Sequence, residues 1–188
     1  MLKAYFTRYL DNFERQWSYD ASYMREVLDV SPASFLKFMF GSQAADKKAA
    51  PAEAIAAAGL VGTMAEDCGP CTQIGVDLAG AGGVKPEVLR AILAGDEAAM
   101  GETAALAYRF ARASLARDMA ACDPLRDEIV RRWGRKALVA IALSLTAARE
   151  YPTLKYALGH GKACSRVVVA GVAQPVAAPK VVIGPIAA

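Results

Sequence analysis

From Ala54 to Ala65 the chain reads Ala-Ile-Ala-Ala-Ala-Gly-Leu-Val-Gly-Thr-Met-Ala, without a single charge. Side chains this small favour helix but carry little volume, so the segment can be buried only where other helices approach its backbone closely. A sheet core would call for β-branched and aromatic side chains instead. The bias runs through the whole sequence, with 40 alanines among 188 residues and 55% hydrophobic residues. These features predict an all-α fold, in a chain long enough to bury a continuous core. The apolar content excludes disorder. A net charge of +3, without a Lys/Arg block, gives no reason to expect a nucleic-acid partner.

A membrane partner is not expected either. The longest uncharged stretches, Ala54–Ala65, Ala137–Ala148 and Val167–Pro179, fall short of the ~20 residues that span a bilayer. The N-terminal residues soon meet Asp11, Glu14 and Arg15, so no signal-peptide core is present and a cytoplasmic location is expected. In that reducing compartment, four cysteines are better suited to redox chemistry, metal binding or burial than to a disulfide framework.

Helical periodicity organises the chain. Leu2, Tyr5, Phe6, Tyr9, Leu10 and Phe13 form one apolar stripe, and a second helix is predicted to start near Ser18 or Asp20 and bury Tyr23, Met24, Val27 and Leu28. Ser31-Pro32 supplies a cap and a first-turn proline for a third. After a polar loop, Gly41–Lys48, helices are expected from about 51 to 65, from Gly69-Pro70 to Gly80, after Lys85-Pro86, across 97–120, from Asp123-Pro124 to Trp133, and over Arg135–Arg149, the last being the expected central helix. Pro152 should kink or restart the chain there. Only Arg166–Gly171 reads as a strand, followed by an extended Pro/Ala/Val tail.

The segment that carries chemistry is Glu66-Asp67-Cys68-Gly69-Pro70-Cys71-Thr72-Gln73. Two cysteines three apart at a helix start are close enough for a disulfide. The helix dipole and its free N–H groups stabilise a thiolate there, which can attack peroxides or disulfides. Glu66 and Asp67 oppose that ionisation, or else shuttle protons. The competing reading is that both cysteines are small apolar residues in a helical core. A thioredoxin fold is rejected, because the lead-in Ala54–Val61 is helical where that fold requires a buried strand.

An Ala-rich helix, a break, CxxC opening a second helix and a long apolar helix ending near Arg149 resemble the carboxymuconolactone decarboxylase-like superfamily, in particular its alkylhydroperoxidase D (AhpD-like) branch. The resemblance covers about residues 45–165. It divides a single domain, 1–188, into N-terminal helices (1–44), an AhpD-like core (45–165) and an extended tail (166–188). It implies a homo-oligomer that reduces small organic hydroperoxides, without a cofactor, at the expense of a dithiol. By the same resemblance Cys71 is the peroxidatic thiol, and Cys68 is the resolving one, the more accessible to an external reductant. The family's relay places a Glu twelve residues before the first Cys and a His four after the second; here those positions are Ala56 and Gly75. Glu66 is the candidate for proton transfer in their stead, and Gln73 or Thr72 are candidates to hold a water near the thiols. A different class of function is a non-catalytic oligomeric binding or scaffold protein that has this fold and has lost the relay.

Other groups have weaker claims. His160, between Gly159 and Gly161, reads as a helix C-terminal cap, or as a base brought to the thiols from afar. Cys68, Cys71, His160 and Cys164 would make a zinc set, but the second half lacks knuckle turn signals and no metal is expected. Cys122 is given no role. Trp17, Trp133, Tyr151 and Tyr156 are expected in the core or at a subunit contact, and the Arg126–Lys136 cluster on a solvated or salt-bridged face.

Overall fold

The computed structural model describes residues 2–161 and 167–177. It is all-α, with a small hairpin. Its elements are α1 (Leu2–Trp17), α2 (Ser22–Val30), α3 (Pro32–Ser42), α4 (Ala52–Ala65), α5 (Gly69–Ala81), α6 (Pro86–Ala94), α7 (Gly101–Ala116), α8 (Met119–Ala157), β1 (Val167–Val169) and β2 (Val172–Gln174). No described helix is long and apolar enough to cross a membrane. The apolar tail beyond Ala177 lies outside the described residues.

The central helix is α4, not the Arg135–Arg149 segment expected from hydrophobicity. Ala54, Ala56, Ala57, Ala58, Leu60, Val61, Gly62, Thr63 and Met64 are all buried, and α5, α6, α7 and α8 pack around them. By contrast Val139 in α8 is 57% exposed, so that segment buries only one face. The small residues explain the difference. At Gly62 a Cβ would stand 2.8 Å from the carbonyl oxygen of Leu145 and 3.1 Å from the Ala148 Cβ, so α8 lies directly on the α4 backbone. A second apolar cluster joins α1–α3 to the rest: Leu10, Tyr19, Tyr23, Met24, Leu28 and Phe35 pack beside Ile74, Tyr151 and Leu154. Edge-to-face pairs Phe6–Phe35 (5.2 Å) and Phe38–Tyr151 (5.0 Å) lock it.

Capping explains where the expected boundaries hold and where they move. Ser31 caps α3 by accepting the Ser34 N–H at 3.3 Å, with Pro32 in the first turn. The start of α2 moves to Ser22, because Ser18 turns left-handed (φ 49°) and the Glu14 carboxylate accepts the Ala21 N–H at 3.0 Å. Asp123-Pro124 does not open a helix. Arg117 (φ 58°) ends α7, Asp118 caps α8 by accepting the Ala121 N–H at 3.0 Å, and the helix runs through both Pro124 and Pro152. Gly134 (φ 83°, ψ 169°) interrupts it, so α8 is two helical stretches that meet at a kink, at the expected break between Trp133 and Arg135. The expected single strand is a hairpin, since Ala170 (φ 49°) and Gly171 (φ 78°) supply the two positive-φ residues of a tight two-residue turn.

Gly62→Ala is expected to destabilise the fold by about 1–3 kcal/mol through overpacking. Gly59, with nothing within 4 Å of its Cβ position, should instead tolerate alanine and gain up to ~1 kcal/mol of helix propensity. Urea unfolding midpoints of the two variants check both signs.

Candidate redox site

The turn between α4 and α5 builds the site. Asp67 adopts a left-handed conformation (φ 49°) that ends α4, and the Tyr156 hydroxyl donates to its carbonyl at 3.0 Å. Cys68 is the N-cap of α5, its sulfur accepting the Cys71 N–H at 3.4 Å. Pro70 fits the first turn because it has no N–H to leave unpaired. Cys68 and Cys71 are joined in a disulfide, with their Cα atoms 5.2 Å apart. CxxC therefore stands at a helix start, as its spacing predicts.

Its setting differs from the expected one. Cys68 and Cys71 are only 3% and 2% exposed, so both are buried and neither stands out as the accessible one. The α1–α2 corner reaches Cys71. Tyr19 projects from that corner, its hydroxyl oxygen 3.7 Å from Cys71 Sγ and 3.2 Å from the Tyr23 hydroxyl. The Lys155 ammonium, on a residue 1% exposed, lies 5.3 Å from the Tyr19 ring centroid and 5.7 Å from that of Tyr23. Burial pushes the Tyr19 phenol up; the bond from Tyr23 partly opposes this and the nearby Asp20 charge adds to it. Tyr23 is raised too, again chiefly by burial and then by Tyr19. Both hydroxyls therefore stay protonated at neutral pH.

The corner is fixed by charge. Glu14 binds the Ala21 N–H with one carboxylate oxygen and Arg25 with the other, and Arg25 also reaches Asp11 at 2.7 Å. The Asp20 carboxylate accepts the Ser22 N–H at 3.0 Å, completing the turn into α2. Tyr19 is thus held between a left-handed residue and a capped helix start.

The other residues singled out from the sequence have identifiable partners. Glu66 accepts a bond from Arg149 Nε at 2.5 Å, which ties the α4–α5 turn to α8. Thr72 Oγ1 donates to the Cys68 carbonyl at 3.0 Å. Gln73 pairs with both the N–H (2.7 Å) and the carbonyl (3.0 Å) of Val168, and with Asp77 (2.8 Å). The Gln73 and Thr72 side chains are thus engaged with protein groups. A Cβ on Gly75 would meet Leu60 Cδ2 at 3.1 Å, so an aliphatic side chain crowds the position where the relay histidine would stand. Ala56 is buried in α4.

His160 caps α8 through its backbone, the N–H donating to the Lys155 carbonyl at 2.9 Å. Its ring ties down α2, with Nδ1 3.0 Å from Ser22 Oγ and Nε2 2.7 Å from Glu26 Oε2. Cys164 lies outside the described residues. Among those described, no His, Cys, Asp and Glu cluster is placed to hold a metal ion. Cys122 is buried, with Ser114 Oγ 3.5 Å from its sulfur. The basic cluster is salt-bridged: Arg126 to Asp123 (2.7 Å), Arg131 and Arg132 to Glu128 (2.6 and 2.5 Å), and Lys136 to Asp46 (2.7 Å).

Tyr19, Tyr23 and Lys155 are the site neighbours that sequence reasoning missed. One signal was available. Tyr151, Leu154, Lys155 and Leu158 fall at i, i+3, i+4 and i+7, which puts a lysine in an apolar stripe. An open groove of about 700 Å³ runs beside the site, lined by Trp17, Ser18, Gln73, Asp77, Val84 and Val168 among others. It reaches the residues just before Tyr19, while neither cysteine lines it.

No protein-family model, curated protein or solved structure matches this chain. The site's chemistry therefore rests on its own geometry.

Gln73→Ala is expected to free the hairpin edge from α5. Loss of the two hydrogen bonds to Val168, about 2 kcal/mol together, should speed amide exchange at Val168 roughly thirtyfold, read by hydrogen-exchange NMR.

Proposed function

We propose that this chain is a thiol–disulfide redox protein that cycles Cys68 and Cys71, with a small hydroperoxide as oxidant and a dithiol as reductant. The observation that carries this reading is the disulfide at the start of α5, where each sulfur has its own hydrogen-bond partner: the Cys71 N–H for Cys68 and the Tyr19 hydroxyl for Cys71. A sulfur that can accept such bonds is better able to carry negative charge. The AhpD-like resemblance supports the same chemistry and adds a homo-oligomer working in the cytoplasm.

In this cycle the Cys71 thiolate attacks the outer oxygen of the hydroperoxide. The O–O bond breaks, the alcohol leaves with the proton that the thiol gave up, and Cys71 becomes a sulfenic acid. The Cys68 thiol then displaces water and closes the disulfide. A dithiol returns two electrons and two protons by exchange, and is itself oxidised. Because both sulfurs are buried, the residues around them must part to admit peroxide and dithiol.

The same burial favours a second reading, in which the pair is structural and the chain is a helical binding or scaffold protein. Variants separate the two. Under the redox reading, Cys71→Ser abolishes peroxide consumption, whereas Cys68→Ser consumes one equivalent and stalls at a sulfenic acid that dimedone traps. Native mass spectrometry of reduced wild type after peroxide should show the loss of two hydrogens, mapped to Cys68–Cys71. Thiols that survive peroxide unchanged in the folded chain would leave only the structural reading.

A further inference from the structure

Two phenol hydroxyls in an otherwise apolar cluster are expensive to bury unless they are bonded, and packing alone would be served as well by phenylalanine. Here the hydroxyls of Tyr19 and Tyr23 are 3.2 Å apart, and Cys71 Sγ lies 3.7 Å from the Tyr19 hydroxyl oxygen. A phenol has one proton to donate and lone pairs to accept with. If Tyr23 donates to Tyr19, the Tyr19 proton is directed at sulfur, giving an ordered chain Tyr23→Tyr19→Cys71. Resting on the dithiol reading above, we propose that Tyr19 is the hydrogen-bond acid of Cys71, stabilising its thiolate, with Tyr23 and Lys155 as positioning residues.

Three further observations fit that role. The Lys155 ammonium lies over both ring faces, where it draws electron density from the phenols and strengthens their O–H groups as donors. Burial keeps both phenols protonated, so they act as donors and not as competing anions. The other charged or titratable groups acting on the pair are Asp20 and Tyr151, neither of which supplies a cation in place of Lys155. The Glu66 carboxylate, in contrast, is bonded to Arg149.

In the reductive half-reaction, a thiolate of the incoming dithiol attacks Cys68 Sγ and the Cys68–Cys71 bond breaks. The electron pair departs on Cys71 Sγ, where the Tyr19 hydroxyl meets it. The second sulfur of the dithiol then attacks its partner in the mixed disulfide and releases Cys68, which takes up a proton, and the dithiol leaves as a disulfide. A better-stabilised leaving thiolate speeds the first step.

The test compares Tyr19→Phe with wild type, since this change removes the hydroxyl and keeps the ring under Lys155. In a Cys68→Ser background, the ultraviolet thiolate band should show Cys71 ionising about one pKa unit higher without the Tyr19 hydroxyl. In chains with both cysteines, Tyr19→Phe should slow reduction of the disulfide by dithiothreitol roughly tenfold at neutral pH. If wild type cycles while Tyr19→Phe shows the same thiol pKa and the same rate, the Tyr19 role is overturned and the dithiol reading stands. If the wild-type disulfide reacts with dithiothreitol only after unfolding, both fall. Should Tyr19→Phe fail to fold, tyrosine ring-carbon NMR in a Tyr156→Phe background decides. A tyrosine resonance that moves as Cys71 ionises supports the proposal, and no such movement overturns it.

Discussion

Gly62 allows the Leu145 carbonyl oxygen to sit where a Cβ would be only 2.8 Å away, and the placement of the site follows from that approach. With α8 pressed onto α4, the last turn of α4 delivers Glu66 to Arg149 and Asp67 to the Tyr156 hydroxyl. Those two contacts aim the chain into α5 and set the position of Cys68. A bulkier helix in the place of α4 would push α8 outward and open the turn that carries the disulfide. Alanine and glycine act here through the side-chain volume they leave out, which lets neighbouring backbones interlock at the density of a protein interior.

The sulfurs occupy the seam between two apolar clusters. On one side is the helical core around α4; on the other are α1–α3, which bring in Tyr19 and Tyr23. A lysine and two phenols inside that seam come at a desolvation cost that an all-aliphatic seam would avoid. The compensation is a set of directed contacts, phenol to phenol, phenol to sulfur and ammonium to ring. The Glu14–Arg25 pair and the Ser22–His160–Glu26 contacts hold the covering layer at its edges, part-exposed and therefore easier to release than the core. Under the proposed dithiol cycle, such a layer can part to admit reagents while the core stays closed.

Much of the architecture was legible in the sequence, because it follows from local rules. The Ser31-Pro32 cap, the break before Gly69-Pro70 and the apolar stripe of α1 depend only on neighbours three or four residues away, and these boundaries hold. The failures come where one local signal overrides another, or where a contact spans the chain. Asp123-Pro124 carries a start signal, yet Asp118 caps first and the helix continues through the proline. The Ala170-Gly171 turn hides in a valine-rich run that reads as one strand. At the site, Cys68 and Cys71 could be found from their spacing alone. Tyr19 could not, since 52 residues separate it from Cys71 and its corner is set by a carboxylate on the preceding helix.

The central claim, that Cys68 and Cys71 interconvert between dithiol and disulfide in the folded chain, is tested most directly by equilibrating the native protein across a series of reduced-to-oxidised dithiothreitol ratios. At each ratio the thiols are quenched and their state is read alongside far-ultraviolet circular dichroism. The account predicts one reversible two-electron transition confined to this pair, with helical signal unchanged throughout. A pair that stays locked in one state until the helices melt would contradict it.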